Sequence, residues 1–245
     1  MKRTARIITL SLAAALVILL AGALPAAAQG DDEATCRQLM GFWDPVEGRC
    51  VLALSFEMEL TYPVEVVGYS VPQQAVDEMY GTMITRFTGM FQDPAYLPYG
   101  YPMTLYVDYE LIPYSAQVYS LRFDISEYTG GAHPNSYTYT MTYDMSRNVM
   151  LTLDDVFLPG SGYLDTLAAL VQTDLTAQMG EYADAAWIAQ GAGPDPWNFR
   201  SWTITPAGIT FYFDPYQVAP YAMGPQQVTI PLSQLSGWLA PPFGP

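Results

Sequence analysis

The feature that most constrains this chain is a run of period-two stretches between residues 103 and 158. In 103–113, Leu105, Val107, Tyr109 and Leu111 point one way, and Tyr106, Asp108, Glu110 and Ile112 the other. In 116–128, Tyr119, Leu121, Phe123 and Ile125 oppose Val118, Ser120, Arg122, Asp124 and Ser126. Side chains alternate across a strand, so this pattern predicts antiparallel strands with one apolar face and one wet face. Gly130-Gly131 supplies a tight turn, because glycine alone takes positive φ without strain. A third strand, 136–145, is dense in Tyr and Thr, residues that suit a pleated surface. Its Tyr137 and Tyr139 are read as an aromatic platform on the wet face. After a turn at Ser146-Arg147-Asn148, the next strand leaves through Asp154-Asp155. Adjacent residues face opposite sides of a strand, so Asp155 or Asp154 is read as capping a turn and the two not as a cooperating pair.

The flanking sequence completes the pattern. Residues 51–60 alternate, and Pro63 ends that strand. Val76, Met79, Tyr80, Met83, Ile84, Phe87 and Met90 recur at three- and four-residue steps, which predicts a helix over 72–91. Residues 93–102 read as a turn-rich loop. A second amphipathic helix covers 162–179 on Leu164, Leu167, Leu170, Val171, Leu175 and Met179, and Gly180 ends it. Strands follow at 197–205, 209–214 and 228–232, with an aromatic, proline-rich loop at 215–225. The predicted class is α+β, with mostly antiparallel sheets and two main amphipathic helices packed on them.

The N-terminus reads as an export signal over residues 1–28. Lys2, Arg3 and Arg6 precede an apolar run, and Pro25 and Ala26-Ala27-Ala28 form a small-residue cleavage pattern. The alternative is a retained membrane anchor, since the run is nearly long enough to span a bilayer. No later stretch has that character, so no membrane association is expected after cleavage. Removing the signal leaves six arginines, no lysine and all 24 acidic residues, a net charge of −18. Such a surface repels phosphates, which excludes nucleic acid as a partner. It favours encounter with cationic partners, and it also keeps a secreted protein soluble. Cys36 and Cys50 are the two cysteines; in an exported chain they are expected to form a disulfide that staples 29–50. Two Cys and one His do not make a zinc site, so no metal and no cofactor is expected.

Several words of the sequence resemble a known family. They are Tyr128-Thr129-Gly130-Gly131-Ala132-His133, Leu151-Thr152-Leu153-Asp154-Asp155-Val156-Phe157, Phe211-Tyr212-Phe213, the loop 216–224 and Val228-Thr229-Ile230-Pro231. In that order, the part from about Arg122 to Leu235 resembles the C-terminal domain shared by the lysozyme-sensing anti-sigma factor RsiV and the PdaC-type peptidoglycan deacetylases. The part from about Val51 to Thr129 is similar to the PdaC-type N-terminal module. The domain reading is therefore 51–129 PdaC-like and 130–245 RsiV-like. The sigma-binding segment and membrane span of RsiV, and the catalytic domain of PdaC, have no counterpart here. The resemblance implies an extracytoplasmic module.

His133, the single histidine, is the one residue whose ordinary titration lies near neutral pH. It is read as fixing its turn, contacting a partner or serving catalysis. No Gly-x-Ser-x-Gly nucleophile elbow is present, so no catalytic residue is assigned and the chain is expected not to be an enzyme. Tyr216, Pro220 and Tyr221 lie in an uncharged aromatic loop, and either contact a ligand or pack that loop onto the sheet. With His133 they are the candidate binding residues. The expected role is recognition at the cell envelope of a protein, such as a cationic lysozyme, or of a peptidoglycan glycan. The alternatives are a cell-wall-active enzyme and a purely structural secreted domain.

Overall fold

The computed structural model describes residues 8–9, 32–38, 42–51, 56–90 and 103–244. The expected signal, apart from Ile8 and Thr9, and the expected loop 93–102 lie outside the described residues. The elements in order are β1 (Ile8–Thr9), α1 (Asp32–Gln38), β2 (Phe42–Asp44), β3 (Arg49–Val51), β4 (Phe56–Leu60), α2 (Ser70–Gly89), β5 (Met103–Pro113), β6 (Val118–Tyr128), β7 (Asn135–Asp144) and β8 (Val149–Leu151). Then come α3 (Tyr163–Met179), α4 (Ala185–Gly191), β9 (Trp202–Ile204), β10 (Gly208–Phe213), β11 (Gln226–Pro231) and α5 (Leu232–Leu235). The class is α+β, as the alternation predicted.

One sheet has the order β1-β4-β5-β6-β7-β8. Its neighbours are antiparallel except β4 and β5, which run parallel because α2 carries the chain back across the sheet between them. Val76, Tyr80, Met83 and Phe87 of α2 are buried, a stripe at helical spacing. They pack on Leu105, Val107, Leu121, Phe123, Ile125, Met141 and Tyr143, the apolar face of the sheet. Arg86 of α2 pairs with buried Glu127 at one end of this interface and also donates to the Tyr137 hydroxyl.

β6 ends at Tyr128 and leads into a turn. The Gly130-Gly131 turn has φ of 106° and 101°. β7 pairs with β6 over ten residues, and β8 is the last strand. This register corrects one expectation. Tyr137 and Tyr139 lie opposite Ile125 and Phe123, on the α2 side of the sheet, so they form no platform on the wet face. Tyr and Thr suit a strand equally well, and only the pairing decides which set turns inward.

A second sheet, β9-β10-β11, packs with α3, α4 and α5 around a separate core of Leu167, Val171, Leu175, Phe199, Phe211, Phe213 and Val228. The two sheets meet through hydroxyls. The Trp202 amide donates to Thr140 Oγ1 at 2.8 Å and the Ile204 amide to Ser120 Oγ at 3.2 Å. The Ser201 hydroxyl donates to the Thr138 carbonyl at 2.9 Å. The Thr138 amide, beyond the reach of β8, donates to Asp214 Oδ1 at 2.9 Å. Side chains of the large sheet thus satisfy the open edge of β9, which an isolated edge strand would leave unpaired. Ser120, read from sequence as wet, is buried here and bonds buried Thr142 at 2.8 Å.

Cys36 and Cys50 form a disulfide that ties α1 to the β2–β3 hairpin. Of Asp154 and Asp155, it is Asp155 that caps the turn. Thr152 and Asp155 form a reciprocal capping box at 2.7 Å, and Asp154 accepts from the Tyr163 hydroxyl at 2.6 Å. Among the described residues no helix is long and apolar enough to cross a membrane.

Candidate functional site: an acidic groove on the uncovered half of the large sheet

The second sheet covers only part of the large sheet's polar face. The rest forms a groove of about 580 Å³ lined by Glu59, Thr61, Tyr106, Asp108, Asp124, Ser126, Ser136 and Thr138, with Val107, Ile125 and Tyr137 beneath and Pro225 as a wall. Four strands contribute, and each adds alternate residues, so the polar set of the sequence pattern becomes one surface. A cleft of this size is in the usual range for small-molecule sites.

Asp108 and Asp124 are cross-strand partners in the middle of the groove. Asp108 Oδ1 accepts from the Thr61 hydroxyl and the Tyr109 amide, both at 2.9 Å. Asp124 Oδ2 accepts from Arg122 at 2.9 Å. That guanidinium also reaches Glu110 at 3.2 Å and lies 5.5 Å from the centre of the Tyr212 ring. Burial, together with Glu57 and Glu59, pushes the Tyr106 phenol above its ordinary value, so it keeps its proton and remains a donor. The groove therefore offers carboxylates, hydroxyls and a phenol. Among the described residues no group of three metal-ligating side chains is present.

The sequence-predicted residues are not in the groove lining; they lie on the turn before β7 and on the loop that carries Pro225. His133 is exposed, and its ring stacks on Tyr221 with centroids 3.7 Å apart. Its Nδ1–H donates to the Pro134 carbonyl at 2.9 Å, and the Tyr221 hydroxyl donates to the same oxygen at 3.1 Å. The pair fastens the β6–β7 turn to the loop that carries Pro225. Tyr216 is 57% exposed, takes φ of 71°, and lies 5.6 Å from Tyr221 between ring centroids. Its carbonyl accepts from the Trp187 indole at 3.0 Å. Pro220 is exposed and starts the turn that holds Tyr221. His133, Tyr221 and Tyr216 thus form one aromatic strip, and the Trp187 indole anchors the Tyr216 backbone. Sequence reasoning had named Asp108, Asp124, Ser126 and Tyr106 only as members of polar faces, because nothing local shows which part of a face stays open.

Comparison with known proteins places these two halves. Residues 55–136 match the family described as Deacetylase PdaC, and residues 154–233 match the Protein of unknown function family DUF3298. The peptidoglycan-N-acetylmuramic acid deacetylase PdaC of Bacillus subtilis is 34% identical over 131 residues, 54% of this chain and 28% of PdaC. The anti-sigma-V factor RsiV of the same organism is 27% identical over 149 residues, 56% of this chain and 49% of RsiV. Separate parts of the chain thus match the PdaC and DUF3298 families, and the whole resembles both PdaC and RsiV.

Esterase Rv3036c of Mycobacterium tuberculosis is 31% identical over 106 residues, 43% of this chain and 45% of the esterase. The chain therefore spans between about a quarter and half the length of these relatives. A crystal structure of a DUF3298 family member from Bacteroides fragilis shares the fold, with a TM-score of 0.53 at 22% identity, over 80% of this chain and 87% of that one.

These relatives correct the expectation that this PdaC/RsiV-like chain is not an enzyme. A deacetylase and an esterase are among them, and the matching N-terminal family carries a deacetylase's name. The expectation rested on a lone histidine and a missing nucleophile elbow. Those features argue against a serine triad, but they do not bear on chemistry by paired carboxylates.

Proposed function

We propose that this chain is exported and acts at the cell envelope, where the groove on its large sheet binds a strand of cell-wall glycan. The observation that carries this reading is the groove itself. It joins sugar-matching hydrogen-bond groups, Thr61, Ser126, Ser136 and Thr138, to the phenol of Tyr106 and the carboxylates of Glu59, Asp108 and Asp124. The relative PdaC, a peptidoglycan-N-acetylmuramic acid deacetylase, supports the same ligand class. The signal-like first 28 residues support export, and the pairing of Cys36 with Cys50 suits an oxidising compartment. The aromatic strip of His133, Tyr221 and Tyr216 extends the surface beyond the groove, with Pro220 and Trp187 as its frame.

The test is co-sedimentation of the purified chain with insoluble peptidoglycan at physiological salt, beside Ser126→Phe, which fills the groove without changing charge. The wild type sediments and the variant does not. Equal sedimentation of both overturns the groove as the site. A second reading, a cationic protein partner such as a lysozyme, is favoured by the formal net charge of −15. Binding to lysozyme that survives salt, and that an equally acidic unrelated protein lacks, supports it.

A further inference from the structure

The charge balance of the groove goes further than its shape. Asp108 and Asp124 stand opposite each other on neighbouring strands, where like charges oppose folding. One guanidinium, Arg122, serves both Asp124 and Glu110. Among the described residues no cation pairs with Asp108 or Glu59, which line the same concavity. A neutral polyol would leave this charge uncompensated, whereas a sugar that bears an ammonium group would answer both the hydroxyls and the carboxylates.

We propose that the groove prefers de-N-acetylated glycan, in which free amines replace the acetamido groups of the wall sugars. This rests on the glycan reading above and narrows it to an amino sugar. A ligand of this kind is the product of amide hydrolysis on the sugar: water cleaves the C–N bond of the acetamide, acetate leaves, and the amine takes a proton. The class of reaction that supplies it is therefore N-deacetylation, the activity for which the relative PdaC is named. The carboxylates at Asp108 and Glu59 accept charge-assisted hydrogen bonds from the ammonium, while an acetamide offers them a single neutral N–H and additional bulk.

The experiment is titration calorimetry of the full chain at about 0.15 M salt. The probes are the β-1,4-linked tetramers of glucosamine and of N-acetylglucosamine, with trilysine as a cationic peptide control. The proposal expects the glucosamine tetramer to bind on the order of tenfold or more tighter than the acetylated one, the scale of a hydrogen bond to a charged group. Asp108→Asn and Glu59→Gln, each checked for folding by circular dichroism, reduce that preference. Asp165→Asn, on the exposed side of α3, leaves it unchanged.

Equal binding of the two tetramers, or preference for the acetylated one, overturns the amine inference and leaves the glycan reading standing. Loss of preference in Asp165→Asn reduces it to bare net charge and overturns it. Trilysine binding as tightly, with the same sensitivity to Asp108→Asn, reassigns the groove to cationic peptide and overturns it. Failure of both tetramers to bind removes the glycan reading and this inference together.

Discussion

Asp108 on β5 and Asp124 on β6 are direct cross-strand partners on the same face of the large sheet, and each takes its hydrogen bonds from a different neighbour. Opposed carboxylates on a sheet work against the fold, by roughly 0.2–1 kcal/mol for a pair in contact. Function is the natural reason to keep them. Asp108→Asn removes the repulsion and retains an oxygen that can accept from Thr61. The variant is expected to melt at the same temperature as the wild type or slightly above it, and to bind glycan less well. Thermal melts beside binding assays check this; a clear fall in melting temperature would give Asp108 a structural role instead.

Acid stability depends on the turn after β7. Burial works against the charged form of Asp144, but hydrogen bonds from Ser146 and Arg147 outweigh it and hold its carboxyl at about 2. A carboxyl depressed in the folded state stabilises above its unfolded value, near 3.8, and that contribution is lost as pH falls towards 2. Asp144→Asn is expected to destabilise at pH 7 and to flatten the fall in stability between pH 4 and about 2. Urea unfolding across that range measures it.

At the alkaline end the sign reverses. Burial and the carboxylate of Asp77 push Tyr62 to about 12, and burial and Glu65 push Tyr109 to about 12. The folded state favours the protonated phenol, so its stabilisation is complete below pH 10 and is lost as pH rises through about 12. Ultraviolet titration of tyrosinate is expected to show a late-titrating group of phenols. Asp77→Asn brings one of them earlier.

The contact between the two halves is testable at Tyr221. Tyr221→Ala removes both the stack on His133 and the bond to the Pro134 carbonyl. Tyr221→Phe keeps the stack alone. Aromatic pairs contribute about 0.5–1.5 kcal/mol beyond their buried area. Faster hydrogen exchange is expected at residues 129–135 and 215–225 in the alanine variant, with a smaller change in the phenylalanine variant.

Gly191 is a further pressure point. A Cβ there would lie 1.8 Å from the Gln217 carbonyl oxygen. Gly191→Ala must displace either α4 or the loop carrying Tyr216, so it is expected to lower the melting temperature and weaken binding together.

Much of this architecture can be read from the sequence because it is local. The alternation in β5 and β6 and the stripe of α2 name their buried faces directly, and Gly130-Gly131 names its turn. The site is harder to read because it is made by docking. Ser120 and Asp124 carry the same polar pattern four residues apart on β6, yet β9 buries Ser120 and leaves Asp124 in the groove. Only long-range packing separates them. Tyr137 shows the other limit. Its side of the sheet depends on a register that a strand of alternating Tyr and Thr does not specify. His133 was visible as a lone histidine, but its partner, Tyr221, lies 88 residues away in the chain.

The most direct test of the account is an amide chemical-shift map of the chain titrated with a soluble peptidoglycan fragment. The account predicts perturbations gathered at Thr61, Tyr106, Asp124, Ser126 and Thr138, with a second set near Tyr221. Perturbations confined to the outer side of α2, around Gln74 and Glu78, or none at saturating ligand, would contradict it.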